Sequence, residues 1–312
     1  MFFMLKKLGL VTVSAGLLLA ACSQDAEQPA EDAQTEEVVD EVATDETAAD
    51  ETTKDAATDD AQADADSDIG DFHFVVASHS TPMTDITELA LEQLPAPADG
   101  ELLQVSDNIQ YNDAVFNDEA FASFAQHEPF MQGYNEKNDA DLVMAQPIYN
   151  AIVGFYAPEY NSIDDIEDGA SVVVPGDPFN MSRALEILAA QELITLAEVE
   201  GNLYSTEDVE ENPHNFEFVE MEVSNTAQGY LDGHDLVFSY PTFIAQLADL
   251  HTDDALFLED DAEAKYAQGL VMRKENLDTP EGKALIEAFT SDAVAEFIDE
   301  NLVKSGHATR AF

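Results

Sequence analysis

The chain has 312 residues, 45% of them hydrophobic, with 66 Asp and Glu against 11 Lys and Arg and a formal net charge of −55. That composition can build a core, but it repels phosphate backbones and anionic headgroups, which excludes nucleic-acid binding and a basic-patch contact with lipid. The acid is concentrated without being confined: residues 23–70 hold 18 acidic residues and Lys54, while 71–312 keep 48 acidic and 8 basic residues, near −40.

In chain order, residues 1–21 read as a secretory signal. Lys6 and Lys7 precede an apolar run, Leu8 to Ala21, of about 14 residues, short of the roughly 20 that span a bilayer. The run ends in Leu19-Ala20-Ala21-Cys22, which resembles a bacterial lipobox, and Cys22 is the only cysteine. A sole cysteine in an exported chain cannot close an internal disulfide, so lipidation is expected there, with durable anchoring by two or more acyl chains. Residues 22–70 then form an acidic stretch without aromatic residues or apolar periodicity, expected to be a disordered, self-repelling tether that spans on the order of 40 Å.

From residue 71 the pattern changes. Phe72 to Ser78 is a β-type run, and Thr84 to Leu94 has helical spacing at Ile86, Leu89, Ala90 and Leu94. Leu102 to Val105 predicts a strand, and 112–124 and 128–136 predict helices, with Asn112 and Asn117 as candidate caps. Strands are expected at Leu142 to Ala145, Ala151 to Tyr156 and Ser171 to Pro175, followed by an amphipathic helix from Asn180 to Gln191. Phe216 to Glu220, a helical Thr226 to Leu231 and Leu236 to Ser239 repeat the alternation, and Pro280 to Phe289 and Asp292 to Lys304 close the chain as helices. Such alternation predicts an α/β fold with largely parallel sheets. An exported α/β chain of this length suggests two lobes with a ligand cleft at the strand carboxyl ends.

Chemistry other than binding finds no support. The seven histidines include no His-x-x-x-His pair, and no acidic run has the spacing of an EF-hand loop. There is no Gly-x-Ser-x-Gly elbow and no phosphate-binding glycine loop. No cofactor, metal or enzymatic activity is expected.

Several blocks carry a resemblance. Gln126-His127-Glu128-Pro129-Phe130-Met131 is similar to the Gln-His-x-Pro-Tyr-Leu signature of the NlpA/MetQ family of methionine-binding lipoproteins. Ser162 to Ile166 with Asp168 to Val172, Pro175 to Leu185, Glu211-Asn212-Pro213, Asp254 to Asp260 and Ala311-Phe312 resemble further family segments, collinear over 73–312. The resemblance implies a two-lobed periplasmic-binding-protein fold of type II character with a central cleft. Lobe one would be 71–147 plus 241–312, and lobe two 148–240. It also implies the solute-binding component of an ABC importer, whose partners are a membrane permease and its ATPase, held by its lipid anchor on the extracytoplasmic face of the cell membrane.

Carried over by residue, the resemblance makes Arg183 the carboxylate clamp and His127 a cleft residue, with Phe130 in place of the family tyrosine. Departures surround them. Asn108 stands where the family has an aromatic residue, Ala125 replaces another, and Tyr240-Pro241-Thr242 replaces Asn-Gly-Asn. Ser78-His79-Ser80-Thr81-Pro82 replaces Thr-Pro-Val-Pro-His. The expected ligand residues are therefore Arg183, His127, Phe130, Asn108, Asn180, Tyr240 and Thr242. Exchanging buried donors and acceptors shifts selectivity by orders of magnitude, so the ligand is open between methionine, another amino acid and a short peptide. A surface lipoprotein or adhesin without a transport role is the alternative outside that class.

Overall fold

The computed structural model describes residues 69–260 and 264–312. The signal-like segment, Cys22 and nearly all of the expected tether lie outside the described residues. The strands are β1 (His73–Ser78), β2 (Asp99–Gln104), β3 (Ala122–Gln126), β4 (Leu142–Ala151), β5 (Gly154–Tyr156), β6 (Ser171–Pro175) and β7 (Thr195–Leu196). They continue as β8 (Val209–Glu211), β9 (Glu217–Met221), β10 (Leu236–Ser239), β11 (Phe257–Leu258), β12 (Gln268–Arg273) and β13 (Ala308–Arg310). The α-helices are α1 (Met83–Leu91), α2 (Gln110–Phe116), α3 (Glu128–Asn138), α4 (Pro178–Ala190), α5 (Gln228–Asp232), α6 (Pro241–Ala248), α7 (Pro280–Phe289) and α8 (Asp292–Ile298). None among the described residues is long and apolar enough to cross a membrane.

Two sheets organise the chain, the first in the order β13-β4-β12-β3-β1-β2 and the second β11-β5-β10-β6-β9. Both are mixed rather than largely parallel. In the first, β1 runs parallel to β2 and β3, while β12 and β13 pair antiparallel. In the second, β6 is parallel to β9 and β10, while β5 is antiparallel to β10 and β11. The chain leaves the first sheet at 151–154 and returns between β11 and β12, later than the boundary near 240 expected from the sequence. β11 pairs with β5 and Ile244 of α6 packs with Tyr156 and Ala227, so both elements go with the second sheet.

Side-chain alternation explains why each sheet is covered on both faces. Along β1, Phe74 and Val76 point into a core with Ile86, Phe124, Leu285 and Phe289, while Val75 and Ala77 join Tyr111, Val115 and Met131 on the other side. The predicted helix over 112–124 is corrected by the same logic. α2 ends at Phe116, and Ala122-Ser123-Phe124-Ala125-Gln126 is β3, buried along its whole length between β1 and β12. Its small residues favour helix locally, but a central strand needs small side chains where helices press on both faces. Asn112 is not a cap; it lies inside α2, buried against Gln126, and Asp107 accepts the Ile109 and Gln110 N–H groups instead. In the second sheet, Val172, Val174, Leu236 and Phe238 pack under Leu185 and Leu188 of α4.

Candidate functional site

The carboxyl ends of β1, β3, β6, β9 and β10 converge on one space between the sheets, lined by side chains that follow each: His79, His127, Asn180, Val223 and Tyr240. This is where open α/β sheets place ligands. The cavity holds about 60 Å³ of solvent-sized free space, enough for roughly four to six water-sized groups. Phe130, Tyr111 and Phe243 supply aromatic wall. Among the described residues, no Asp, Glu, Lys or Arg lines it.

Six of the seven predicted ligand residues line this cavity: His127, Phe130, Asn108, Asn180, Tyr240 and Thr242. Asn180 lies at the centre of a buried network. Its Oδ1 accepts from the Tyr240 hydroxyl at 2.8 Å and faces His127 Nε2 at 3.2 Å, while its amide nitrogen donates to Asp177. Asp177 also caps α4 by accepting the Asn180 N–H at 2.9 Å. His127 caps α3 in the same way, its Nδ1 accepting the Phe130 N–H. With Nδ1 an acceptor, Nε2 carries the proton and donates to Asn180; the imidazole is neutral. Across the mouth, Asn108 Nδ2 donates to Glu222 Oε1 at 2.7 Å, joining the segment after β2 to the segment after β9. Phe179 of α4 meets Phe130 edge-on and lies against Gly133 of α3, where a Cβ would come within 2.0 Å of its ring.

Arg183 stands elsewhere. Its side chain is fully buried but lies behind the cavity wall, and its guanidinium already holds a carboxylate. Nε and Nη2 donate to the two oxygens of Glu259 at 3.0 and 2.5 Å, Nη2 also to the Ala151 carbonyl, and Nη1 to the Tyr240 hydroxyl at 3.3 Å. The rings of Tyr240 and Tyr266 flank it. Arg183, expected to face the ligand, does not line this cavity; Tyr240, standing in for a shorter family residue, reaches the guanidinium from the cavity side. Sequence reasoning also missed Gln268, Tyr149, Tyr111, His79 and His307, all of which line the cavity. The apolar run Leu270-Val271-Met272 after Gln268 was the available signal for β12.

Burial first, and then the nearby Arg183, push the His127 pKa from 6.5 down to about 3. The unfolded chain therefore binds a proton that the folded one refuses between those values, and stability is lost as pH falls from about 6.5 towards 3. Asp177 acts with the opposite sign, since burial raises its carboxyl. His127→Asn, which keeps an acceptor for the α3 cap, is expected to flatten the fall of melting temperature between about pH 6.5 and pH 4. A slope identical to that of the unsubstituted protein would show that His127 does not carry this acid sensitivity.

An α/β chain with two covered sheets and a cavity at the strand ends has the architecture of a solute-binding protein. The NlpA lipoprotein family model matches residues 75–312, and the chain belongs to that family, whose members are solute-binding lipoproteins and not enzymes. The methionine-binding lipoprotein MetQ of Bacillus subtilis is 31% identical over 237 residues, covering 74% of this chain and 86% of the relative. Among solved structures, a YaeC-family lipoprotein from Enterococcus faecalis is 41% identical with a TM-score of 0.69, covering 78% of this chain and 100% of that one. A nutrient-binding protein from Burkholderia cenocepacia bound to methionine is 26% identical with a TM-score of 0.71, covering 77% and 100%.

Proposed function

We propose that this protein is the lipid-anchored solute-binding component of an ABC importer. It holds methionine or a closely related amino acid between its two sheets and delivers it to the membrane permease and its ATPase. The observation that carries this reading is the small cavity at the strand ends, walled by aromatic side chains and neutral polar groups. About 60 Å³ favours one amino acid over a dipeptide, which would have to hold the lobes apart. Hinge closure around the ligand, latched by Asn108 and Glu222, is the conformational step that the permease would read. Anchoring through Cys22 and the acidic segment 22–70 would keep the domain near its permease and raise its effective concentration there.

A melting-temperature screen of amino acids and dipeptides tests the reading. A ligand at about a hundred times its Kd stabilises by about 2.7 kcal/mol, which for a domain of this size is roughly 5–11 °C. A rise of that order with L- or D-methionine or a similar amino acid is the expected result. A rise with dipeptides alone would move the ligand class, and no rise with any of them would sink the transport reading and favour a surface or adhesive role.

A further inference from the structure

Gly133 lies in the middle of α3, a position where glycine is less favourable than alanine because it loses more backbone freedom on folding. Its backbone is ordinary right-handed helix, so no turn or positive φ requires it. The neighbour requires it instead: a Cβ there would overlap the ring of Phe179, whose Cζ and Cε2 point at the position. Phe179 belongs to α4, which packs on the second sheet, whereas Met131 and Tyr134 fasten α3 to the first. Among the described glycines with ordinary backbone angles, Gly133 alone has its close neighbour in the opposite lobe. Gly100 meets Leu91 and Phe74, Gly269 meets Met144 and the Gln146 carbonyl, and Gly282 meets Asn276, all within one lobe.

Two hydrogen bonds also cross between the lobes, from Asn108 to Glu222 and from Gln246 of α6 to Thr81, at 2.7 Å each. Both are exposed, so water replaces each partner when the lobes part and the net gain from closing is small. The Phe179 ring behaves differently. It is half-buried between Gly133 and Phe130, and opening returns that apolar surface to water. The helical cost of Gly133 is carried in every form of the protein, and only the closed form recovers it.

Resting on the hinge-closure reading above, we propose that Phe179 and the notch at Gly133 form the apolar latch of the closed protein. Gly133 thereby sets the balance between the open and closed forms. Neither residue lines the cavity, so both act on affinity through closure and not through contact with the solute.

The full chain carrying Gly133→Ala, Phe179→Ala or both tests the latch, by calorimetry with L-methionine and by hydrogen exchange without ligand. Gly133→Ala should weaken methionine binding by about five- to hundredfold, the cost of overfilling a packed contact, even though alanine favours α3 itself. Phe179→Ala should also weaken binding, since the closed form loses the contact. In that background Gly133→Ala should change affinity by less than about twofold, because the notch has no ring to receive. Amide exchange in 240–246, on the second lobe's side of the cavity, should quicken with Gly133→Ala and gain nothing further once Phe179 is gone. A role for Gly133 confined to α3 would leave that segment unchanged. Unaltered affinity in Gly133→Ala, or an equal loss with and without Phe179, overturns the latch and leaves the amino-acid reading intact. If the parent chain binds no solute, the amino-acid reading falls and exchange decides the latch alone: equal rates at 240–246 in parent and Gly133→Ala overturn it.

Discussion

Replacing Arg183 with leucine is expected to lower the stability of the ligand-free protein by about 3–5 kcal/mol, the usual cost of removing one partner of a buried ion pair. For a domain of this size that is a fall in melting temperature of roughly 6–20 °C. The reason lies in what the substitution leaves behind. The Glu259 carboxylate, 10% exposed, loses a two-pronged partner, and the Ala151 carbonyl and Tyr240 hydroxyl each lose a donor. An arginine waiting on the cleft wall for a ligand would give another result, since its removal would reduce affinity and hardly touch the ligand-free melting temperature. The double variant Arg183→Leu/Glu259→Leu sharpens the test. With both charges gone, most of the loss should be recovered, because an apolar pair of similar volume often replaces a buried salt bridge at little cost. Thermal denaturation of the three variants without ligand decides the matter, and a single variant as stable as the parent would refute the structural role.

Asn180→Leu is expected to be nearly as damaging. Asn180 accepts from the Tyr240 hydroxyl and from His127 Nε2, so leucine strands two buried donors, each costing about 1–3 kcal/mol. Asp177 also loses the Asn180 side-chain amide, though it keeps the backbone N–H that caps α4. The expected loss is about 2–6 kcal/mol, together with weaker ligand binding, because His127 and Tyr240 are cavity walls. The effects of Asn180→Leu and Arg183→Leu should not add, since both residues bond the Tyr240 hydroxyl. Urea denaturation of the single and double variants measures that coupling, and simple additivity would mean the network does not act as a unit.

Much of the fold was legible because period and composition agreed. The β-rich runs at 72–78, 171–175, 216–220 and 236–239 and the amphipathic run after Asn180 all became the elements they suggested. Failures came where tertiary burial overrode local preference, as in β3, whose Ala and Ser residues suit a helix but sit in the middle of a sheet. β12 was missed because six residues containing Gly269 give too short a period to read, and Gly269 lies close enough to Met144 and the Gln146 carbonyl to leave no room for a side chain. In the site, family blocks located His127, Phe130, Asn180, Tyr240 and their neighbours. The partner of Arg183 could not be chosen: the folded part carries 48 acidic residues, and only the pairing of β5 with β11 brings Glu259 beside α4. Gln268 and Tyr149 stayed hidden because only the register of β12 against β4 brings them together at the cavity.

The sheet topology also makes the two sheets unequal in how far the chain must reach to close them. Every strand of the second sheet lies between residues 154 and 258, an uninterrupted stretch that can pair as soon as it is available. The first sheet has no such independence. Phe124 of β3 must find Leu270 of β12, and β4 must accept β13 at the far end of the chain, so its closure entropy is paid over more than a hundred residues. Non-local pairing of this kind is slow. The second sheet is therefore expected to pair before the split one closes, which would make the cavity between them late to form.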